Sequence, residues 1–475
     1  MNDEPDVDVL VVGSGIAGLC AAIVAAQTGA RVLIAEAGSV VGGSSRLSGG
    51  VVMGAGTRQQ QAAGIDDTPE AYFRDVMNVN QWALAPAPLW RYAQQAAPTI
   101  DWLIDLGAEF HSELVFGGTE SVARCLESTS AGAGIINALH RTARHEGVDI
   151  ALGQRIDRLL TIDGTVVGAA VGDAEIRAAG VVLATGGFGA NREMLQRYFP
   201  HATAAGDWLW YIGAEHAQGD GLMLGQSVGA HIVGENRGLR LIHPHFVNSV
   251  ESYLPGWLVL VDGEGRRFVD ESAPYGILDR RMSAVGHRAF VILDASAADP
   301  EVARASKNYR QVYPARQDRT VNWNPAMVRE QVEAGRIRQA ASVEELAVQL
   351  GMDPQVLGGT VARYNAGAES GVDDMMKPRE FVRPLTRAPF YAAEVRAATV
   401  CWTGTGLQID EDARVLDGNG KPIAGLYAAG ETTGGILGDV YVGSGGSLTN
   451  GAVFGRIAGA EAARFALTTT ASLPR

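Results

Sequence analysis

Residues Val7 to Val12 read VDVLVV, a short run that is apolar apart from one aspartate, as expected of a strand covered on both faces of a parallel sheet. The alanine-rich stretch Ile16 to Thr28 predicts a helix, and Arg31 to Ala35 predicts a second strand, completing a βαβ unit. The same strand pattern returns in Ala179 to Thr185 (AGVVLAT) and in Gly425 to Ala429 (GLYAA), so strands of one sheet are expected at both ends of the chain. Between them, roughly residues 235 to 398 are richer in Pro, Arg, His and Trp and carry amphipathic runs at Ser342 to Leu350 and Pro354 to Asn365. This pattern predicts a discontinuous first domain, 1–234 with 399–475, and an inserted second domain, 235–398. Neither a tandem repeat nor a low-complexity segment interrupts it.

Length supports two domains, since 475 residues exceed the size at which one core usually stops growing. The balance of 39 basic against 53 acidic residues, a formal charge of −14, argues against nucleic acid or an anionic membrane as partner. Cys20, Cys125 and Cys401 are far apart and form no CxxC or metal-ligand spacing, so neither a disulfide framework nor a metal site is expected. Thiols of this kind suit a reducing cytoplasm. The acidic start, MNDEPDVD, is unlike a signal peptide. The uncharged run Val9 to Ala30 is long enough for a bilayer, but Gly13, Gly15, Gly18 and Gly29 divide it into strand, turn and helix, so no transmembrane span is expected.

The turn between the first strand and the first helix, Gly13-Ser14-Gly15-Ile16-Ala17-Gly18, matches GxGxxG. In this context Gly13 permits a tight turn, Gly15 lets backbone N–H groups approach a pyrophosphate, and Gly18 lets helix and strand pack closely. The helix N-terminus presents the positive end of its dipole to the phosphates. Glu36, at the end of the second strand, sits where a carboxylate accepts from a ribose 2′-OH and would repel a 2′-phosphate. An unphosphorylated adenosine diphosphate moiety is the expected ligand, with Ser14, Ala17 and Ala37 around it. After Glu36-Ala37 comes a second glycine-rich loop, Gly42-Gly43-Ser44-Ser45 and Ser48-Gly49-Gly50, beside which a cofactor larger than NAD would pass.

That loop, with Thr185-Gly186-Gly187 and Gly430-Glu431, is where the chain resembles the FAD-containing flavoproteins of the fumarate reductase and succinate dehydrogenase superfamily. The resemblance extends through Gly219-Asp220-Gly221, the segment Gly265 to Glu271 (GRRFVDE), VARYN at 361–365 and FGRIAG at 454–459. It implies an α/β chain with a Rossmann-like FAD-binding domain of the GR2 type and an inserted α+β capping domain that binds substrate. It also implies FAD held non-covalently, with Asp220, Ser447 and Leu448 among the cofactor residues. No second dinucleotide fingerprint is present, so NAD(P)H is not the expected electron source; the electron acceptor and the oligomeric state stay open.

The chain departs from the dicarboxylate enzymes of that superfamily where those enzymes hold their substrate. Their arginine shortly after RFVNE is matched here by Tyr275, their arginine shortly before FGRxAG by Tyr441, and their histidine before TxGG by Trp402. A pocket without those cations is expected to take a neutral, apolar substrate, because nothing would satisfy a buried carboxylate. Phenols at these positions resemble the 3-ketosteroid dehydrogenase branch, in particular the enzymes that desaturate 3-keto-5α-steroids at C4–C5. The resemblance implies that Tyr275 takes the α proton of a cyclic ketone and that Tyr441 donates to its oxygen, with Ser444 or the Gly443 N–H as helper. His243, in the HPH at 243–245, matches a cap histidine that meets substrate. Competing readings stand beside these: Tyr441 as a turn aromatic, Tyr275 as a hydrophobic peg, His243 as a hydrogen-bonded structural residue. The rival activities are a keto-acid desaturase of the 4-oxocyclohexanecarboxylate type, which would hold its acid group with one of Arg266, Arg267, Arg280 or Arg281, and a fumarate-reductase-like ene reductase. A non-enzymatic flavin electron carrier is disfavoured by the cap, since a carrier needs an exposed flavin edge.

Overall fold

The computed structural model of the chain describes residues 5–249, 251, 253–309 and 320–471, so the first four residues of the acidic start lie outside it. The chain divides into two compact units, Met1–Pro200 with Gly213–Leu239 and Cys401–Arg475, and His201–Ile212 with Arg240–Val400. The second unit includes His201–Ile212, which the sequence pattern assigns to the first. Its two-residue strand Trp210–Tyr211 pairs in parallel with Thr399 and Val400, a long-range pairing with no local signal.

In the first unit, strand β1 (Val7–Val12), helix α1 (Ile16–Gln27) and strand β2 (Val32–Glu36) form the βαβ unit within two residues of its expected bounds. Across the sheet the order is Asp149–Leu152, β2, β1, Ala174–Leu183, Pro422–Ala428 and Arg414–Leu416. The first five are parallel and the last is antiparallel. β1 lies centrally, and Val9 to Val12 are buried, which is why these strands read as unbroken apolar runs. The strand expected at Ala179–Thr185 runs instead from Ala174 to Leu183, its polar start reaching out to pair with Thr165–Val171. Thr185 is thereby left in the loop beyond the strand end, where the crevice of an open parallel sheet binds ligands.

The last helix, Gly446–Ala471, packs along α1 by means of Gly451, Gly455 and Gly459, one per turn. A Cβ at Gly455 would stand 2.3 Å from the Ala17 carbonyl oxygen, and one at Gly459 would stand 2.1 Å from that of Ala21. The two helix backbones therefore touch, and the alanines of α1 follow from the same need for thin side chains. Two shorter helices, α2 (Pro69–Val79) and α3 (Pro86–Asp105), complete the part of this unit that matters below.

The second unit is an α+β body around the long strand Phe390–Thr403, which pairs with Arg288–Leu293 and Arg338–Ala340, while Val259–Val261 pairs on the far side of Arg288–Leu293. Alternation splits the core in two: Val259, Val261, Phe290 and Ile292 join one cluster, Leu258, Leu260, Val291 and Leu293 the other. The amphipathic runs are the helices Val343–Leu350 and Pro354–Ser370. Ser342 caps the first by accepting from Glu345 N, and Gly351 closes it in a left-handed conformation. Among the described residues, no helix is long and apolar enough to cross a membrane, and no cluster of His, Cys, Asp and Glu could hold a metal.

The helix contact gives a direct test. Gly459→Ala should cost about 1–3 kcal/mol by overpacking and lower the melting temperature by several degrees. Gly418→Ala, where an added Cβ meets nothing within 4 Å, should leave it unchanged. Equal melting temperatures for both variants would refute the backbone contact.

Candidate active site

The three glycines after β1 divide the work by space. Gly13 has a positive φ of +102°, and a Cβ there would lie 2.4 Å from the Ala184 carbonyl oxygen; one at Gly18 would lie 1.9 Å from the Gly13 carbonyl oxygen. Both face protein. At Gly15 the nearest atom to an added Cβ is Ser45 Oγ at 3.4 Å, so the turn is open on the side where a ligand's phosphates would approach.

Glu36 is buried at the end of β2, with Oε2 accepting from Ser14 N (2.8 Å) and Ser14 Oγ (2.5 Å) and Oε1 from Gly38 N (2.6 Å). Ser14 Oγ in turn accepts from Gly42 N at 3.1 Å, which ties the first glycine turn to the second glycine-rich loop. Ser45 Oγ accepts from Ile16 N, the first amide of α1, and Ser44 Oγ accepts from Ala214 N.

One continuous cleft is lined by Gly13, Ser14, Gly15, Ala17, Glu36, Ala37, Gly43, Ser44, Ser45, Ser48, Thr185, Gly186, Asp220, Trp402, Gly430, Glu431, Ser447 and Leu448. The expected residues Gly18, Gly42, Gly49, Gly50 and Gly187 are outside this lining. An added Cβ at Gly42 would meet Ile136, at Gly50 the backbone of Ala131, and at Gly187 Thr403 Oγ1 and Glu431, so these positions serve close packing. Residues not anticipated also line the cleft: Gln154, Arg155, Ala214, His216 and Ala217. Arg155 follows the strand Asp149–Leu152, whose pairing beside β2 carries it to the crevice, and its guanidinium is paired with Asp220 at 2.5 Å. That strand is short and half-polar, so only the sheet order could have pointed to it.

At the other end of the cleft Glu431 accepts from Thr403 N and Thr403 Oγ1, both at 2.8 Å. Burial pushes its carboxyl up, against the pull of the Thr403 bonds. The Trp402 ring lies 5.4 Å from that of Tyr441 at 45°. The Tyr441 hydroxyl donates to Ser447 Oγ (3.0 Å) and accepts from Ser447 N (2.8 Å), at the first turn of the last helix. Burial pushes this phenol up to about 12, with the two Ser447 bonds opposing, so it is a neutral hydrogen-bond donor at physiological pH. Tyr441, Gly443 and Ser444 are not themselves in the cleft lining; Trp402 and Ser447 connect Tyr441 to it.

The glycines after Tyr441 are required by close packing of backbone on backbone. A Cβ at Gly443 would lie 2.6 Å from the Gly117 backbone, and one at Gly445 would lie 2.7 Å from that of Val52. Gly443 bridges Gly118, flanked by bonds from Thr119 N to Val442 O and from Ser444 N to Gly117 O.

Residues 8–448 match the FAD binding domain family. The chain belongs to this family. It is 32% identical over 482 residues to the probable fumarate reductase Ifc3 of Shewanella frigidimarina, covering 97% of this chain and 75% of that protein. Among solved structures it is similar to the open conformation of a flavocytochrome c3 fumarate reductase, with a TM-score of 0.71, 31% identity and coverage of 98% and 79%. It is also similar to the 3-ketosteroid-Δ4-(5α)-dehydrogenase of Rhodococcus jostii RHA1 in complex with 4-androstene-3,17-dione, with a TM-score of 0.78, 28% identity and 98% of both chains covered. The protein is an FAD-dependent oxidoreductase of the fumarate reductase family, acting on CH–CH groups, with the Rossmann-like FAD-binding fold. The open face at Gly15 and the carboxylate of Glu36 fit the adenosine diphosphate end of FAD.

The remaining expected residues of this flavoprotein belong to the second unit. Tyr275 is the first residue of the helix Tyr275–Ala284, is buried, and packs edge-on against Tyr253 with ring centroids 4.9 Å apart. In the segment before it, GRRFVDE, Arg267 and Glu271 form a buried ionic anchor. Arg267 donates bidentately to Glu271 (Nε to Oε1 3.0 Å, Nη2 to Oε2 2.9 Å) and also to Asp373 (2.6 Å), while Lys377 Nζ meets Glu271 Oε2 at 2.8 Å. Arg267 is therefore committed to a buried ion-pair network. Arg281 donates to the Phe268 carbonyl, and Arg266 pairs with Glu264. His243 accepts at Nδ1 from His245 N (3.0 Å) and donates from Nε2 to Val247 O (2.8 Å), so both ring nitrogens serve a local turn. Burial holds it below the usual histidine range, which keeps it neutral.

Burial raises the Glu271 carboxyl, but Lys377 and Arg267 outweigh burial and hold it below its ordinary 4.5. A depressed carboxylate contributes stability that is present above 4.5 and lost as pH falls through the lower folded value. Glu271→Gln should accordingly destabilise the protein by about 3–5 kcal/mol at pH 7, by leaving Arg267 and Lys377 short of their shared anion. It should also flatten the acid side of the stability curve, as chemical denaturation between pH 3 and pH 7 would read. A variant as stable as the parent at pH 7 would contradict the anchor.

Proposed function

We propose that the enzyme desaturates the α,β carbon–carbon bond of a neutral cyclic ketone, a 3-ketosteroid or a smaller alicyclic ketone. Removing hydride from the β carbon becomes feasible when the α proton is taken and the carbonyl oxygen is steadied as charge builds on it. FAD supplies the hydride acceptor. Tyr275, once deprotonated, takes the α proton as a phenolate and becomes a neutral phenol, and Tyr441 turns its proton from Ser447 Oγ to the ketone oxygen, with Ser444 or the Gly443 N–H beside it. Trp402 offers an apolar wall next to Tyr441. The observation that carries this reading is the state of Tyr441, a buried phenol kept neutral and hydrogen-bonded at the head of the last helix, where a diacid enzyme would need a guanidinium.

Similarity to the steroid dehydrogenase over the full length of both chains supports the same reading. Two of the four candidate anchors of the keto-acid rival are already engaged, Arg267 by Glu271 and Asp373 and Arg281 by the Phe268 carbonyl. The ene-reductase rival is favoured by the identity to fumarate reductases, and the same two phenols would serve it in reverse, so the redox partner sets the direction. We place FAD in non-covalent attachment, since the glycine-rich loop 42–50 (GGSSRLSGG) offers no Cys, His or Tyr nucleophile. A cytoplasmic location suits Cys20 and Cys125, whose thiols are buried.

Anaerobic mixing with a 3-keto-5α-steroid should bleach the yellow oxidised flavin. Tyr275→Phe should lower the bleaching rate about 10²–10⁴-fold, and Tyr441→Phe about 10²–10³-fold. Wild-type rates in Tyr275→Phe, or rapid turnover of fumarate, would overturn the proposal. Acid precipitation should release the chromophore into the supernatant; a yellow pellet would show covalent attachment.

A further inference from the structure

Two phenols that none of the roles above uses are buried under the Tyr441 loop. Tyr72, on α2, and Tyr92, on α3, are both wholly inaccessible to solvent, and their hydroxyl oxygens are 2.6 Å apart. Tyr92 donates to the Gly446 carbonyl at 3.3 Å. With its one proton committed there, the short contact between the phenols takes its proton from Tyr72. The Gly446 carbonyl and the Ser447 N–H are two ends of one peptide group, and that N–H donates to the Tyr441 hydroxyl at 2.8 Å. The bonds therefore run head to tail: Tyr72 O–H to Tyr92, Tyr92 O–H to Gly446 C=O, Ser447 N–H to Tyr441, whose own proton rests on Ser447 Oγ until a substrate oxygen takes its place.

We infer that Tyr92, backed by Tyr72, is a positioning residue that polarises the Gly446–Ser447 peptide and so makes Tyr441 a stronger hydrogen-bond donor to substrate. Withdrawing electron density from an amide oxygen makes its N–H a better donor, and bonds aligned in a chain in a dry interior reinforce one another. A better donor to the phenol oxygen in turn favours its charged form and sharpens the donation of its own proton. The head of the chain is biased the same way: the Arg124 guanidinium lies 4.9 Å from the centroid of the Tyr72 ring, fixed there by Asp67 (2.9 Å) and Asp75 (2.9 Å). The loop cannot drift off the chain, because Asn80 brackets Val440, donating to its carbonyl (3.2 Å) and accepting from its amide (2.9 Å). The role given to Tyr441 rests on the ketone reading above; the polarised chain itself does not.

The test is run on the flavin-loaded enzyme with 3,5-difluorotyrosine replacing Tyr441, which brings the phenol's titration into a range the fold tolerates, and is read by fluorine NMR without any ketone present. Tyr92→Phe keeps the ring and removes the donor, and should raise the midpoint of the 441 phenol by about 0.5 pH unit or more; Tyr72→Phe should raise it less, in the same direction. In steroid turnover Tyr92→Phe should lower kcat several-fold with KM within about twofold. If Tyr92→Phe fails to fold, Tyr72→Phe decides. Midpoints within about 0.1 unit of the parent in the folded variants would overturn the inference, whatever the substrate proves to be. Failure to bleach with ketones while the midpoints still move would instead count against the ketone reading alone.

Discussion

Backbone that must touch backbone admits only glycine, and the first unit depends on that constraint. Gly13 and Gly18 close the turn at the head of the parallel sheet, and Gly455 and Gly459 bring the last helix against α1. Gly443 and Gly445 press the Tyr441 loop onto residues 117–118 and 52–53. Each contact is worth little alone, but together they fix where the few polar groups of the site can stand. Gly15 is the exception that shows the logic: it is the one glycine of the fingerprint whose missing side chain leaves room on the cleft side.

Within this frame charge is placed sparingly. The cleft carries Glu36, Asp220 and Glu431, and its one lining arginine, Arg155, is already paired with Asp220. In the second unit the guanidinium of the GRRFVDE motif is satisfied by Glu271 and Asp373. Arg155 and Arg267 are thus both engaged with carboxylates of the chain itself. Near the head of the last helix stand a phenol and an indole, and a phenol held neutral by burial suits an uncharged carbonyl group.

The parts of this account that sequence made legible are those with a local period or spacing. β1, α1 and β2 could be bounded within two residues because apolar runs and the GxGxxG spacing are contiguous, and Glu36 followed from its place at the end of a strand. Pairings between residues far apart in the chain left no such trace. Asn80 grips Val440, Tyr92 reaches Gly446, and Arg155 finds Asp220 only once the chain is folded. The same holds for His201–Ile212, which looks like part of the first unit until Trp210 pairs with Thr399. Gly443 and Gly445 were visible as glycines, but the backbone they pack against was not.

The fumarate reductase relatives and the steroid dehydrogenase differ in what their pockets must neutralise, and a binding measurement separates them. Oxidised enzyme titrated anaerobically with 4-androstene-3,17-dione, and separately with fumarate, reports occupancy through the flavin absorption band. The account predicts a saturable spectral shift with the ketone, weakened in Tyr441→Phe, and none with fumarate. A saturable response to fumarate alone would contradict it.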